Sequence, residues 1–294
     1  MLLTLINIVA PVLAISLLGF FFGRHHPTTP NMAFINYINV QVFCPALVFS
    51  ALLANPVHLS SAWPLVVAGI LVIVLPGVLL YFVQPKPLAK PAFLMSGMFR
   101  NTGNVGIPLM LLAYGQQQLG DIIVLFVIAN TLHFSLGLFL LAGAKDRWLW
   151  LRNPNIWAAV LGMALANYQS SIPDFISTSV DLLGQVAIPL MLFSLGVRLA
   201  SDKINQLGAA IRTNLVYLAA GAVCVPIIVW LLPLTADWTR LLLLSAMLPP
   251  AVLNFLLSDH YQVSPQAVAS VVLVGNVMSI AVIPVVIWVS LQFI

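Results

Sequence analysis

The residues best placed to do chemistry in this chain are amides, one arginine and several prolines, all inside apolar runs. Arg100, Asn101, Thr102, Gly103, Asn104, Val105, Gly106, Ile107 and Pro108 form the most polar and glycine-rich stretch within any hydrophobic run. A second stretch, Leu248 to Asn254, carries the adjacent prolines Pro249 and Pro250. A proline lacks an N–H and its ring crowds the carbonyl four residues earlier, so each stretch predicts an interrupted helix. The carbonyls of Asn104, Ser245 and Ala246 are expected to lose their helix partners. Amides beside such a break suit a carboxylate, whose charge is also drawn to a half-helix N-terminus. Asn101 and Asn104 are therefore expected to contact a substrate rather than to act only as interhelical glue. Gly103 and Gly106 are expected to let two helices cross closely.

Other polar residues within apolar runs extend the list. Arg100 lies too deep to reach the interface easily, so it should face a cavity; attraction of a substrate anion and pairing with an Asp are both open. Asp181 is an intramembrane carboxylate and a candidate for that reason alone. His133 sits mid-run beside Asn130 and Thr131, where a hydrogen-bonded structural histidine is favoured over a coupling group. Asn276, with Ser279 and Pro284, suggests another irregular lining element. Asp121 and Asp259, at helix ends, are expected to be solvated. The expected substrate site is thus Arg100, Asn101, Asn104, Gly106, Pro108, Pro249, Pro250 and Asn254, with His133, Asn276 and Asp181 as coupling or lining residues. His25, His26, His58 and His260 show no ligand spacing, so no metal site is expected.

The elements that must hold these residues follow from composition. Of 294 residues, 62% are hydrophobic and 6% charged, and Glu is absent. So few charges could not cover a water-soluble surface. Apolar spans are expected at Leu2 to Phe22, Met32 to Leu53, Trp63 to Phe82, Pro91 to Ala113, Asp121 to Ala142, Ile156 to Asn167, Phe175 to Val197, Gly208 to Leu231, Trp238 to Leu257 and Ala267 to Trp288. Leu2 to Phe22 lacks a basic n-region and reads as a retained first helix. The formal charge of +4 comes from residues between spans, so it reports orientation and not a nucleic-acid partner. Arg24, Lys86, Lys90, Lys145, Arg147, Arg152, Arg198, Lys203 and Arg212 fall on one side and Arg240 alone on the other. That asymmetry places both termini outside the cytoplasm of a multi-pass cell-membrane protein. Cys44 and Cys224 lie inside apolar runs and read as buried, inert thiols.

Gln41, Val42, Pro45, Phe49 and Ser50 recur as Gln185, Val186, Pro189, Phe193 and Ser194, all at an offset of 144. Pro11, Leu18 and Gly19 are likewise spaced as Pro154, Leu161 and Gly162. A duplication of five helices follows, with repeats at 1–143 and 144–294. An odd number of spans makes the second copy enter from the opposite face, so the repeat is inverted. Helix rise puts Asn101 about 15 Å and Pro249 about 16 Å from their helix starts, the middle of a hydrocarbon layer of about 30 Å. Paired breaks at that depth in inverted repeats point to a transporter's binding site.

The same residues resemble the auxin efflux carrier family, whose prokaryotic members include malate and malonate permeases. The likeness runs through Leu17 to Gly23, Phe43 to Phe49 around Pro45, Asn101 to Pro108, Ile188 to Gly196 and Leu248 to Asn254; the Asn, Gly, Gly, Pro pattern is its most specific part. The resemblance implies an all-α membrane protein of ten helices in a bile-acid-symporter-like arrangement, with the broken fourth and ninth helices crossing. It also implies a scaffold of helices 1, 2, 6 and 7 that often forms a homodimer, and a moving unit of helices 3–5 and 8–10. Arg100 directly before Asn101 is atypical of the pattern.

No Walker loop, zinc motif, dinucleotide fingerprint or haem motif is present, so no enzyme activity or cofactor is expected. The expected function is secondary transport of a small organic anion, a mono- or dicarboxylate, by alternating access of elevator type. The alternatives are a sodium- or proton-coupled carrier of another solute, with H+ or Na+ as coupling ion, and a non-transporting sensor or membrane subunit.

Overall fold

The computed structural model describes residues 2–26, 32–83, 87–143, 149–166, 168, 172–201 and 206–294. Lys86, Lys145, Arg147 and Lys203 lie outside the described residues, as does Asn167, where the sixth span was expected to end.

The described residues are helical throughout, apart from turns and one isolated bridge. Helix α1 spans Leu2–His25; α2, Met32–Ile38, continues through a π-helical turn at Asn39–Phe43 into α3, Cys44–Ala54. Helices α4 (Leu59–Tyr81) and α5 (Lys90–Met98) follow, then a π-turn at Thr102–Gly106 and α6 (Ile107–Tyr114). Helix α7 (Leu119–Leu132) leads through a π-turn at His133–Gly137 into α8 (Leu138–Ala142). Next come α9 (Pro154–Leu165), α10 (Asp174–Ser201) and α11 (Leu207–Leu231). The chain closes with α12 (Ala236–Met247), α13 (Val252–His260) and α14 (Pro265–Phe293).

Seven of the helical runs are long and apolar enough to cross a membrane. Their outer surfaces are hydrocarbon-like: Trp230 is 84% exposed, yet Asn101 and Arg100 are 4% and 8% exposed. Apolar outside and polar inside is the arrangement a bilayer demands, since a lipid-facing amide would cost several kcal/mol. Helix α9 is short, with 12 residues and a length of about 18 Å. It starts two residues before the expected Ile156 because Asn153 caps it, accepting from the Asn155 N–H, and Pro154 occupies the first turn, where a missing N–H costs nothing.

Packing divides the helices into two groups. Helix α1 lies along α10, and α3 packs on α9 and α10. The α1–α10 seam depends on glycine: a Cβ on Gly196 would overlap the Ser16 carbonyl, and one on Gly19 would overlap that of Phe193. The second group joins α4, α5 and α7 with α11, α12, α13 and α14. Side-chain bonds show which ends share a face. Ser264 accepts from the Ala89 N–H at 3.0 Å on one face. On the other, Asp121 accepts from Trp238 Nε1 at 2.8 Å and Gln118 donates to Asp237 at 3.1 Å. Asp121 is therefore half-buried and engaged, not merely solvated as its terminal position suggests.

Candidate functional site

The two interruptions meet. After α5 the chain turns extended at Phe99 (φ −98°, ψ 104°), and after α12 it does so at Leu248 (φ −61°, ψ 153°). The extended pieces then pair as a miniature antiparallel ladder around Arg100 and Pro250. The Asn101 N–H donates to the Pro249 carbonyl at 2.8 Å, and the Ala251 N–H donates to the Phe99 carbonyl at 3.0 Å. Pro249 and Pro250 suit this role because they need no N–H partner. The unwound backbone thus satisfies itself between the two breaks, as burial at this depth requires.

The break in the first stretch lies ahead of Pro108 rather than at it. Thr102–Gly106 forms a π-turn, in which Gly106 N–H reaches the Asn101 carbonyl at 2.9 Å and the Ile107 N–H bonds to Thr102. The wider turn lets Pro108 sit in the first turn of α6, where its ring meets no helical carbonyl. Pro108 and Gly106 are buried packing residues; a Cβ on Gly106 would stand 2.8 Å from Leu248 Cδ1.

Side chains fasten the crossing. Asn254, fully buried, donates to the Phe99 carbonyl at 2.9 Å. Asn101 donates to Asn276 Oδ1 at 3.3 Å, and Asn276 donates to the Val272 carbonyl at 2.8 Å. The Arg100 guanidinium bonds to the Tyr217 carbonyl at 2.7 Å and the Leu248 carbonyl at 3.4 Å, and lies 5.6 Å from the Tyr217 ring. Of the two partners the sequence left open for Arg100, the Asp is not found among the described residues. Its fixed positive charge stands at the crossing, held by carbonyl dipoles.

A cavity of about 180 Å³ opens beside the crossing. Thr102, Gly103 and Asn104 line it from one break, and Ala251, Val252 and Leu253 from the other. These are the N-terminal turns of two half-helices, whose first N–H groups have no intrahelical acceptor and whose dipoles present positive charge. Such a floor favours negative charge. His133 and Asn130 line it from the fifth span. Across from them stand Asn36 and Asn39 near α2, Asn155 at the start of α9, and Ser194 and Arg198 on α10. Among the described residues no Asp or Glu lines the cavity.

The sequence-based site is thus partly assembled. Arg100, Asn101 and Asn104 line the cavity together with His133. Pro249, Pro250, Gly106, Pro108, Asn254 and Asn276 build or support the crossing without lining the cavity. Asp181 is elsewhere: it accepts from Gln185 Nε2 at 2.8 Å and lines a separate hollow of about 320 Å³. Asn36, Asn39, Asn155 and Ser194 are not among the residues expected from sequence, although Ser194 belongs to the repeat at offset 144 and the amides stand in the close pairs Asn36 with Asn39 and Asn153 with Asn155, in or beside apolar runs.

That separate hollow is lined by Leu47, Ser50, Ala51, Ala54, Gly184 and Ile188 as well as Asp181 and Gln185. A shift of 144 carries Leu47, Ser50, Ala51 and Ala54 onto Met191, Ser194, Leu195 and Arg198 of the first cavity. The same shift carries the cavity residues Val40 and Cys44 onto Gly184 and Ile188 of the hollow. The hollow lies toward the face that carries Asn55 and Gln116, the cavity toward the face that carries Asn36 and Arg198.

The model of the family described as "Membrane transport protein" matches residues 4–149 and again residues 144–289. The chain belongs to this family, that of the auxin efflux carriers. A protein of Rhizobium meliloti (strain 1021) named "Putative malonate transporter" is 24% identical over 94% of this chain and 93% of its own length. "Probable auxin efflux carrier component 5b" of rice is 30% identical over 47% of this chain, and "Auxin efflux carrier component 3" of Arabidopsis thaliana 23% identical over 45%. The matched parts amount to 40% and 22% of those two carriers' own lengths. The family is one of membrane transporters, not enzymes. For a carrier of this family the polar crossing, central in a helical membrane protein and floored by helix N-termini, is the candidate solute site.

Proposed function

We propose that this protein is a secondary transporter of a small organic anion, a mono- or dicarboxylate, working by alternating access. The observation that carries the reading is the crossing itself: two half-helix N-termini and an arginine charge converge on a cavity whose described walls hold no carboxylate. A cation-coupled carrier of another solute would need oxygen ligands there. Among the described residues the cavity offers a cation only neutral amide and hydroxyl oxygens, such as those of Asn39, Thr102 and Asn104, and no acid, while Arg100 and Arg198 stand in its walls, which favours an anion over sodium. The likeness to a protein named for malonate transport over nearly the whole chain supports the anion.

Ten spans in two inverted repeats is the arrangement that accounts for the double family match and for the two mirrored hollows. Under that arrangement the cavity is the inward-open half of the path, on the Arg24, Arg152 and Arg198 face, and both termini are non-cytoplasmic. The α1, α3, α9 and α10 group serves as scaffold and the remainder as the moving unit of an elevator; a homodimer through the scaffold is part of the same reading. The deciding experiment is uptake into proteoliposomes of radiolabelled malonate and a panel of mono- and dicarboxylates, under imposed proton or sodium gradients. Saturable uptake of at least one acid is expected, and none under any gradient would end the proposal.

A further inference from the structure

His133 is set apart from the other cavity residues by what surrounds it. Its ring lies flat on Phe99, with centroids 4.3 Å apart and planes at 6°, so it is held at the lip of the first break. It opens the π-turn His133–Gly137, and Gly137 leaves the ring its place: a Cβ there would come within 2.9 Å of His133 Cδ2. The ring lines the cavity, yet Nε2 is buried and meets no hydrogen-bond partner among the described residues. The Asn254 carboxamide lies beside the imidazole with its Oδ1 equally unpaired, so each is available to the other. A buried polar atom without a partner costs about 1–3 kcal/mol, so the neutral ring keeps its one N–H on Nε2, toward Oδ1, and its Nδ1 has a lone pair and no proton.

Among the described residues, the charged side chains that line this cavity have one sign. Arg100 follows Phe99, Arg198 lines the same cavity from α10, and Arg152 stands exposed on the turn that packs against the π-turn. From α3 comes the Cys44 thiol; from α13, Asp259 and His260 stand exposed at the helix's far end, and Asp121 is twelve residues away on α7. No carboxylate lines the cavity among the described residues. Within those walls an imidazolium gains a counter-charge when an anion arrives.

We propose that His133 is the proton-binding residue of this carrier, taking one proton from solvent as the anion enters, so that anion and proton cross together. This rests on the anion reading above. The proton goes to the imidazole, which then has two N–H donors, one for Asn254 Oδ1 and one for the guest carboxylate. The neutral ring has a single N–H and cannot donate to both partners, so proton and anion each raise the affinity for the other.

The test is proton uptake on binding, read with a pH indicator in weakly buffered detergent solution at pH 7.5, with malonate and then a panel of short mono- and dicarboxylates. Wild type is expected to take up about one proton per anion bound, with affinity rising up to about tenfold for each unit the pH falls. His133→Gln is expected to bind with no uptake and no pH dependence. Binding by wild type without uptake overturns the proposal whether or not the variant folds, as does uptake that survives in His133→Gln. Binding of no acid at all overturns the anion reading itself, a result distinct from binding without protons.

Discussion

Replacing Arg100 separates attraction of an anion from support of the crossing. In Arg100→Gln the charge is lost from a site 8% exposed, and with it a charge-assisted bond of 2.7 Å to the Tyr217 carbonyl. Two unit charges about 10 Å apart, at an effective dielectric near 20, interact by about 1.7 kcal/mol, which is roughly 15-fold in affinity. The lost bond is worth about 1.5–3 kcal/mol of stability, offset in part by no longer burying a charge. Arg100→Lys keeps the charge and lacks the planar fork that reaches both Tyr217 and Leu248. Isothermal calorimetry with the bound acid, alongside thermal unfolding, therefore gives two readouts. Arg100→Gln should bind about 15-fold more weakly, and Arg100→Lys should bind within about 3-fold of wild type while unfolding earlier. If Arg100→Gln binds as tightly as wild type, the charge at the crossing does not attract the anion and the electrostatic argument fails.

Three further outcomes follow from the geometry. Single cysteines at Ala54 and Arg198, in a Cys44→Ser, Cys224→Ser background, should react with a membrane-impermeant maleimide from opposite faces; labelling of both from one face would refute the mirrored path. Gly196→Ala forces a Cβ into the Ser16 carbonyl, so the α1–α10 seam must part, at about 1–3 kcal/mol, and the yield of folded protein in membranes should fall. Asp181→Asn removes an acceptor exposed at the surface and bonded only to Gln185 one turn on, so anion affinity should stay within about twofold, and a tenfold loss would move the site toward Asp181.

Much of this was legible in the chain itself. The spans are long apolar runs, and their ends shift by only a few residues because caps such as Asn153 and Thr235 lie just outside the hydrophobic pattern. The break at Asn101 was foreseeable from polarity and glycine, but its cause was misplaced. Proline at 108 suggested a gap there, and a π-turn absorbs it instead, leaving the extended residues at 99–101. The partition of the site was not legible. Asn101, Asn104, Asn254 and Asn276 are the same residue type in similar apolar runs, and only tertiary contact decides that Asn104 lines the cavity while Asn254 clamps Phe99. Asn39 and Asn155 are hidden for a related reason: they stand beside Asn36 and Asn153 near span ends, where amides also serve as helix caps, as Asn153 does, and only the cavity they share sets them apart.

The bridge between the breaks also bears on how such a site could move. A helix interrupted in hydrocarbon normally leaves several backbone groups short of partners, each at a cost of several kcal/mol. Here Phe99 and Pro249 accept from the opposite break, Arg100 covers Leu248, and Asn254 covers Phe99 a second time. All of these bonds lie among α5, α6, α11, α12 and α13, and none crosses to α1, α3, α9 or α10. Displacing one group of helices past the other would therefore break none of the hydrogen bonds that hold the crossing closed. What it would exchange is the wall opposite the helix N-termini: Asn39, Asn155 and Ser194 on one face for Ser50 and Gln185 on the other. A floor that would travel intact, and two walls that share Ser50 and Ser194 at the offset of 144, are what presenting one solute to both sides of a membrane requires.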